Sequence, residues 1–140
     1  MTDIITQLSI FVKNEPGSFA SITSTLKECN INLKAFNIAE SSGFGVLRAI
    51  ANNPKEAYDT LKEKNIIVKL TDVVAVKLND APGGIYDVAK VFGDNNLNIE
   101  YAYAYAGVNG PAVFFRVDEP GVAIKVLKDA GLEILSEEDL

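Results

Sequence analysis

The chain has 140 residues, 48% of them apolar, which is enough for one ordinary core or two small ones and too many for a disordered tail. Its 13 basic and 19 acidic residues leave a formal charge of −6, which repels phosphate backbones and anionic membranes, so neither nucleic acid nor membrane is expected as a partner. With no histidine and the single cysteine Cys29, catalytic triads, imidazole relays, common zinc sites and an internal disulfide all lack parts, and no cofactor or metal is expected.

The start, Met1-Thr2-Asp3, has an acid where a signal peptide carries bases. No segment nears the roughly 20 apolar residues of a membrane span, and the expected location is the cytoplasm. A first strand is predicted over residues 6–13, where Leu8, Ile10 and Val12 alternate with mostly polar neighbours. The turn Asn14-Glu15-Pro16-Gly17-Ser18 leads into an amphipathic helix, its apolar stripe formed by Phe19, Ile22, Leu26 and Cys29 and its stop by Asn30. Strands follow over 31–40 and 44–51 with Gly43 in the hairpin turn. Pro54 suits the first turn of a second helix carrying Ala57, Tyr58 and Leu61, and a closing strand is predicted over 66–70.

The same series then repeats. A shift of 66 residues carries Pro16-Gly17 onto Pro82-Gly83, Asn30 and Asn32 onto Asn96 and Asn98, and Pro54 and Ala57 onto Pro120 and Ala123. The second copy reads as a strand over 73–79, the turn Asp80-Ala81-Pro82-Gly83-Gly84, and a helix striped by Ile85, Val88 and Phe92. Strands over 97–106 and 112–117 flank Asn109-Gly110, and a helix from Pro120 and a strand over 132–135 complete it. Gly43-Phe44-Gly45 and Gly107-Val108-Asn109-Gly110 lack the context of nucleotide-binding loops and read as hairpin turns. The fold class is therefore α+β: two ferredoxin-like βαββαβ units with antiparallel sheets and both helices of each on one face. The expected domains are 1–71 and 72–140, joined at Asp72-Val73. Units this small bury only about 60% of their chain surface, so they are expected to pack together.

The two turns hold the chemistry. At the helix start the amides of Gly17, Ser18 and Phe19 lack intrahelical partners, the dipole adds positive potential, and glycine permits close approach, so a carboxylate would fit. Asn14 both donates and accepts and suits either pole of a zwitterion, whereas ionised Asp80 only accepts and suits an ammonium. The plainer reading is that Asn14 and Asp80 are helix N-caps with proline as the helix starter. Asn32 and Asn98 recur at the start of the second strand, where ligand contact and turn chemistry explain them equally. Tyr101, Tyr103 and Tyr105 fall on one face of a strand, as packing residues in preference to a ligand pocket, where the first copy has Ala35, Asn37 and Ala39. Such a row also resembles RNA-stacking sheets, which the net charge opposes. Arg48 and Arg116 read as surface pairs and Cys29 as a buried, inert thiol.

With Asn14-Glu-Pro-Gly followed by Asn32-Leu33, and Asp80-Ala-Pro-Gly by Asn98-Ile99, the chain resembles the ACT domain family over essentially its whole length. It looks like a tandem ACT pair with no catalytic domain. The resemblance implies a non-enzymatic regulatory sensor that binds a small-molecule amino acid at the seam of paired units, Asn14 being set against Asn98 and Asp80 against Asn32. The implied shell is Asn14, Glu15, Pro16, Gly17, Ser18, Asn32, Leu33, Asp80, Pro82, Gly83, Asn98 and Ile99, with backbone near Val12. It further implies a homodimer and a partner enzyme or regulator. The alternative is a structural or oligomerisation module that serves as the regulatory subunit of a metabolic enzyme without a ligand of its own. Asp80 and Gly84 depart from Asn14 and Ser18, so the second copy is either a differently tuned site or only a helix cap.

Overall fold

A computed structural model describes residues 3–41, 43–107 and 109–140, so Met1 and Thr2 of the expected non-signal start and Val108 of the second hairpin turn lie outside the described residues, as does Ser42. In chain order the elements are β1 (Ile4–Lys13), α1 (Ser18–Glu28), β2 (Leu33–Ser41), β3 (Phe44–Ala51), α2 (Pro54–Glu63) and β4 (Val68–Lys77). They continue as α3 (Gly84–Asp94), β5 (Ile99–Gly107), β6 (Gly110–Val117), α4 (Pro120–Asp129), β7 (Ile134–Leu135) and a 3₁₀ turn, Glu137–Asp139. Two compact units result, Thr6–Thr71 and Asp72–Leu140, the latter with residues 3–5.

In the first unit the strands run in the order β2-β3-β1-β4. Alternation puts Leu8, Ile10 and Val12 of β1 on the face that also carries Leu47 and Ala49 of β3. Ile22 and Leu26 of α1 and Ala57 and Leu61 of α2 close over that face, and Cys29 is half-buried at its margin. Each fully buried aliphatic side chain contributes about 1.5–3 kcal/mol relative to exposure. On the opposite face the buried Ser9 bonds Thr71 through their hydroxyls at 2.9 Å. The second unit repeats the plan as β7-β4-β6-β5. Val74, Val76, Val113 and Phe115 lie beneath Val88 and Phe92 of α3 and Ala123 and Leu127 of α4, with Phe92 and Phe115 edge to face at 5.2 Å.

Among the described residues, the four α-helices stop in the same way. Ile31, Ile66, Leu97 and Leu132 each donate a backbone N–H to the carbonyl five residues back. The residue before each is left-handed: Asn30, Asn65, Asn96 and Gly131, with φ of 59°, 62°, 55° and 82°. This is the Schellman stop, filled by the residue types that tolerate positive φ. Pro54 and Pro120 sit in the first turns of α2 and α4, as expected.

Two expectations need correction. The strands predicted over 66–70 and 73–79 are one strand over 68–77, because this stretch has no glycine or proline to interrupt extended backbone, and Val73 to Val76 beside the expected Asp72 junction are fully buried. Pro16 and Pro82 do not start helices: the N-cap positions are Gly17 and Gly83, one residue later.

Candidate functional site

The Pro-Gly loops match bond for bond. In the first, Glu15 N–H donates to Lys13 C=O at 2.9 Å, Ser18 N–H to Glu15 C=O at 3.2 Å and Ser21 N–H to Gly17 C=O at 3.0 Å. In the second, Ala81, Gly84 and Asp87 donate to Asn79, Ala81 and Gly83 at 2.9, 3.1 and 3.1 Å. Gly17 and Gly83 have φ/ψ of 89°/−14° and 94°/−8°. That is the third residue of a type II turn, where positive φ calls for glycine and proline is favoured just before it. A Cβ on either glycine would meet nothing within 4 Å, so backbone conformation, not lack of room, selects glycine here.

This geometry removes the plain explanation of Asn14 and Asp80. Neither helix has a side-chain cap bond, because two turn residues separate each side chain from the N-cap position. Both are exposed and unbonded among the described residues, and the first-turn amides of Gly17, Phe19 and Ala20, and of Gly83, Ile85 and Tyr86, have no acceptor there. The loops are thus polar and open to solvent, each at the positive end of an 11-residue helix.

Asn32 and Asn98 are held alike. The Asn32 amide donates to the Asn52 side chain at 3.1 Å while Asn52 N–H returns to Asn32 C=O at 3.1 Å, and the Asn98 amide donates to the Asp118 carboxylate at 3.3 Å. Their own side chains are exposed and unbonded among the described residues. Within a unit the two motifs do not meet, since they lie at opposite ends of α1 or α3, about 16 Å apart at 1.5 Å per residue. Asn32 and Leu33 line a cleft of about 520 Å³ with Phe19 and Phe36, whereas Asn14 lines another of about 260 Å³ with Ile38 and Glu40.

The larger cleft of the first unit, about 650 Å³, was not legible in the motif. It takes Glu15, Pro16, Gly17 and Ser18 from the loop and Phe11, Lys13, Phe44, Asn65 and Ile67 from three other segments. In the second unit Asp80 and Pro82 border a cleft of about 360 Å³ with Ile85 and Pro111. A separate cleft there of about 300 Å³ contains Lys77, Gly110 and Glu133. The repeat itself carried the signal, because the 66-residue shift places Phe11, Phe44 and Ile67 on those three residues.

The surroundings of the two loops differ in charge as well. Lys13 and Glu15 flank the first loop, where the second has Asn79 and Ala81. The first turn of α1 has no acidic residue, whereas that of α3 has Asp87, which complements the dipole and repels a second anion. A Cβ on Gly84 would collide with the Asn79 carbonyl oxygen, so the second loop has no room for the serine of the first.

Tyr101, Tyr103 and Tyr105 lie on the β5 face away from the helices, opposite Arg116, Phe114 and Ala112. The Tyr103 and Tyr105 rings pack on Phe114 at 5.3 and 5.6 Å, as packing residues do. Arg116 donates to the Asp72 carbonyl at 2.8 Å and lies 3.5 Å from the Glu100 carboxylate, so it braces backbone as well as pairing.

Two βαββαβ units that each open α-helix one with an x-Pro-Gly type II turn define a tandem pair of ferredoxin-like domains. The chain belongs to the ACT domain pair family, whose match spans residues 1–140. It is similar to protein BT0572 of Bacteroides thetaiotaomicron, with 35% identity over 99% of this chain and 97% of that one and a TM-score of 0.90. It shares the fold of the regulatory subunit of aspartate kinase from Thermus thermophilus, at 16% identity over 93% of this chain and 95% of that one and a TM-score of 0.64. The Thermus flavus subunit matches at 14% identity over 90% and 92% of the two chains, with a TM-score of 0.60. No curated protein sequence matches. Among the described residues no helix is long and apolar enough to cross a membrane.

Proposed function

We propose that this protein is a non-catalytic, cytoplasmic sensor that binds an amino acid and passes its presence to a partner enzyme or regulator. The boundary between its domains falls at residues 71 and 72. The ligand is gripped by its amino and carboxylate groups between the Pro-Gly loop of one unit and the second-strand start of a paired one, Asn14 with Asn98 and Asp80 with Asn32. The remaining shell is Glu15, Pro16, Gly17, Ser18 and Leu33 with Pro82, Gly83 and Ile99.

The observation that carries this reading is the doubled loop whose free amides and exposed, unbonded Asn14 and Asp80 have no role in capping. The family, and a fold shared with regulatory subunits of a kinase, give it context. A thermal-shift panel of the common amino acids tests it. A ligand at a hundred times its dissociation constant adds about 2.7 kcal/mol to a native state that alone binds it. No shift with any of them at millimolar concentration sinks the proposal. Asn14→Ala should leave unfolding within about 0.5 kcal/mol, as an exposed unbonded residue does, yet reduce the ligand-induced shift.

One observation favours a second reading, a homodimer or larger assembly built for structure alone. β2 is an edge strand in its unit, and its Phe36 and Ile38 are 51% and 43% exposed. If assembly is the whole function, sedimentation of Phe36→Lys shows dissociation while every amino acid leaves the melting curve unmoved.

A further inference from the structure

Resting on the amino-acid reading above, we infer that the first unit's cleft selects ligands with apolar side chains, aromatic or branched aliphatic, and that the second unit takes none of them. The observation is a substitution of three positions that line one cleft in each unit. Phe11 N–H donates to Ile67 C=O at 2.9 Å, and Lys77 N–H to Glu133 C=O at 3.0 Å, so the two pairs occupy one place in the repeated fold. In the first unit that place is apolar and uncovered, with Phe11 39%, Phe44 58% and Ile67 70% exposed. In the second it holds the Lys77–Glu133 ion pair at 3.8 Å, with Gly110 where the first has Phe44.

Three large apolar groups left in water at one spot, where the sister unit places a charged pair, are not required by the fold. What the first unit adds is that this wall and the Pro-Gly loop line one cleft, whereas in the second they line two. A single small molecule spanning the first cleft meets the free Gly17 amide and the Lys13 ammonium at its carboxylate and the Glu15 carboxylate at its ammonium. Neither Lys13 nor Glu15 is in an ion pair among the described residues. The rest of the molecule then lies against Phe11, Phe44 and Ile67. An apolar side chain gains from that contact, and a charged or strongly polar one loses hydration without compensation. In the second unit Asp87 opposes the carboxylate and the ion pair opposes the side chain.

Calorimetric titration of the full chain with L-phenylalanine, L-leucine, L-isoleucine, L-serine, L-glutamate and L-lysine tests this. The expected result is one ligand per chain and at least tenfold tighter binding for the best apolar amino acid than for any polar one, a margin that pocket contacts of this kind supply. Phe11→Lys/Ile67→Glu, which copies the pair the second unit already accommodates, should weaken binding at least tenfold. Phe44→Ser, at an exposed position the fold tolerates, should weaken it severalfold and serves if the double variant fails to fold. Polar amino acids binding as tightly as apolar ones overturn the inference and leave the amino-acid reading standing. So does wild-type affinity in the double variant, or a double variant that changes only the sedimentation coefficient, which would mean that a second copy covers the wall. No binding by any of the six overturns the inference, and the amino-acid reading falls with it only if the full panel of common amino acids also leaves the melting curve unmoved.

Discussion

In the first unit the helix-opening loop runs into a cleft walled by Phe11, Phe44 and Ile67, with Lys13 and Glu15 at its sides and a serine beginning the helix. In the second the same backbone bonds and the same left-handed glycine recur, but the wall is an ion pair, the helix's first turn carries Asp87, and glycine begins the helix. The comparison separates what the turn needs from what a ligand needs. Pro-Gly and the unpaired amides belong to the turn, since both copies keep them. The apolar wall, the flanking charges and Ser18 belong to whatever the first copy does alone.

The sharpest way to break that comparison is to give the second loop the first loop's serine. Gly84→Ser places a Cβ against the Asn79 carbonyl oxygen, a backbone atom that has to move. The expected cost in urea unfolding of the full chain is about 2 kcal/mol, and the reverse change, Ser18→Gly, should cost about 0.5 kcal/mol through backbone entropy. Equal effects would mean that the loops relax alike and differ in sequence only. Next come Gly17→Ala and Gly83→Ala, each forced into φ near +90° with nothing to clash against. Each should cost about 1 kcal/mol, equally, because the strain is that of the left-handed backbone alone. Asn52→Ala and Asp118→Ala remove the acceptors of the Asn32 and Asn98 amides, which solvent partly replaces, and about 0.5 kcal/mol each is expected from the same unfolding curves.

The smallest effect concerns a feature of the second unit only. The Ser136 amide and hydroxyl bond the Asp139 carboxylate at 2.8 and 3.0 Å, and these bonds, the backbone one first, hold its pKa below the ordinary value. The sign follows from linkage: order in the terminal turn is present above the unfolded carboxylate range and is lost as pH falls through the folded value. Amide exchange of residues 136–140 should therefore quicken on acidification, and Asp139→Asn should remove that pH dependence.

Much of this molecule is written locally. Alternation marked Leu8, Ile10 and Val12 as one buried face, three-and-four spacing marked the stripe of α1, and Asn30 and Asn96 marked helix stops because so few residue types tolerate positive φ. The 66-residue repeat supplied the two-unit plan and the resemblance to the family to which the chain belongs. Helix starts were misread by two residues, at Pro16 and Pro82 in place of Ser18 and Gly84, since Pro-Gly serves a type II turn before the helix as readily as a helix start, and only the bonding pattern distinguishes them.

What sequence alone determined about this protein is the order of elements, the doubled unit and the turn in each, because these follow from the conformational preferences of residues within a few positions of one another. What only the tertiary structure decided is that residues 68–77 form one strand, that Asn14 and Asp80 cap nothing, that Gly84 is crowded, and that Phe11, Phe44 and Ile67 share a cleft with Gly17. The crowding of Gly84 by Asn79 and the gap between Asn14 and the Gly17 cap follow from the path the backbone takes through each loop, which residue types alone leave open; the shared cleft depends on groups tens of residues apart being brought together, and no local preference records which distant neighbour a side chain will meet.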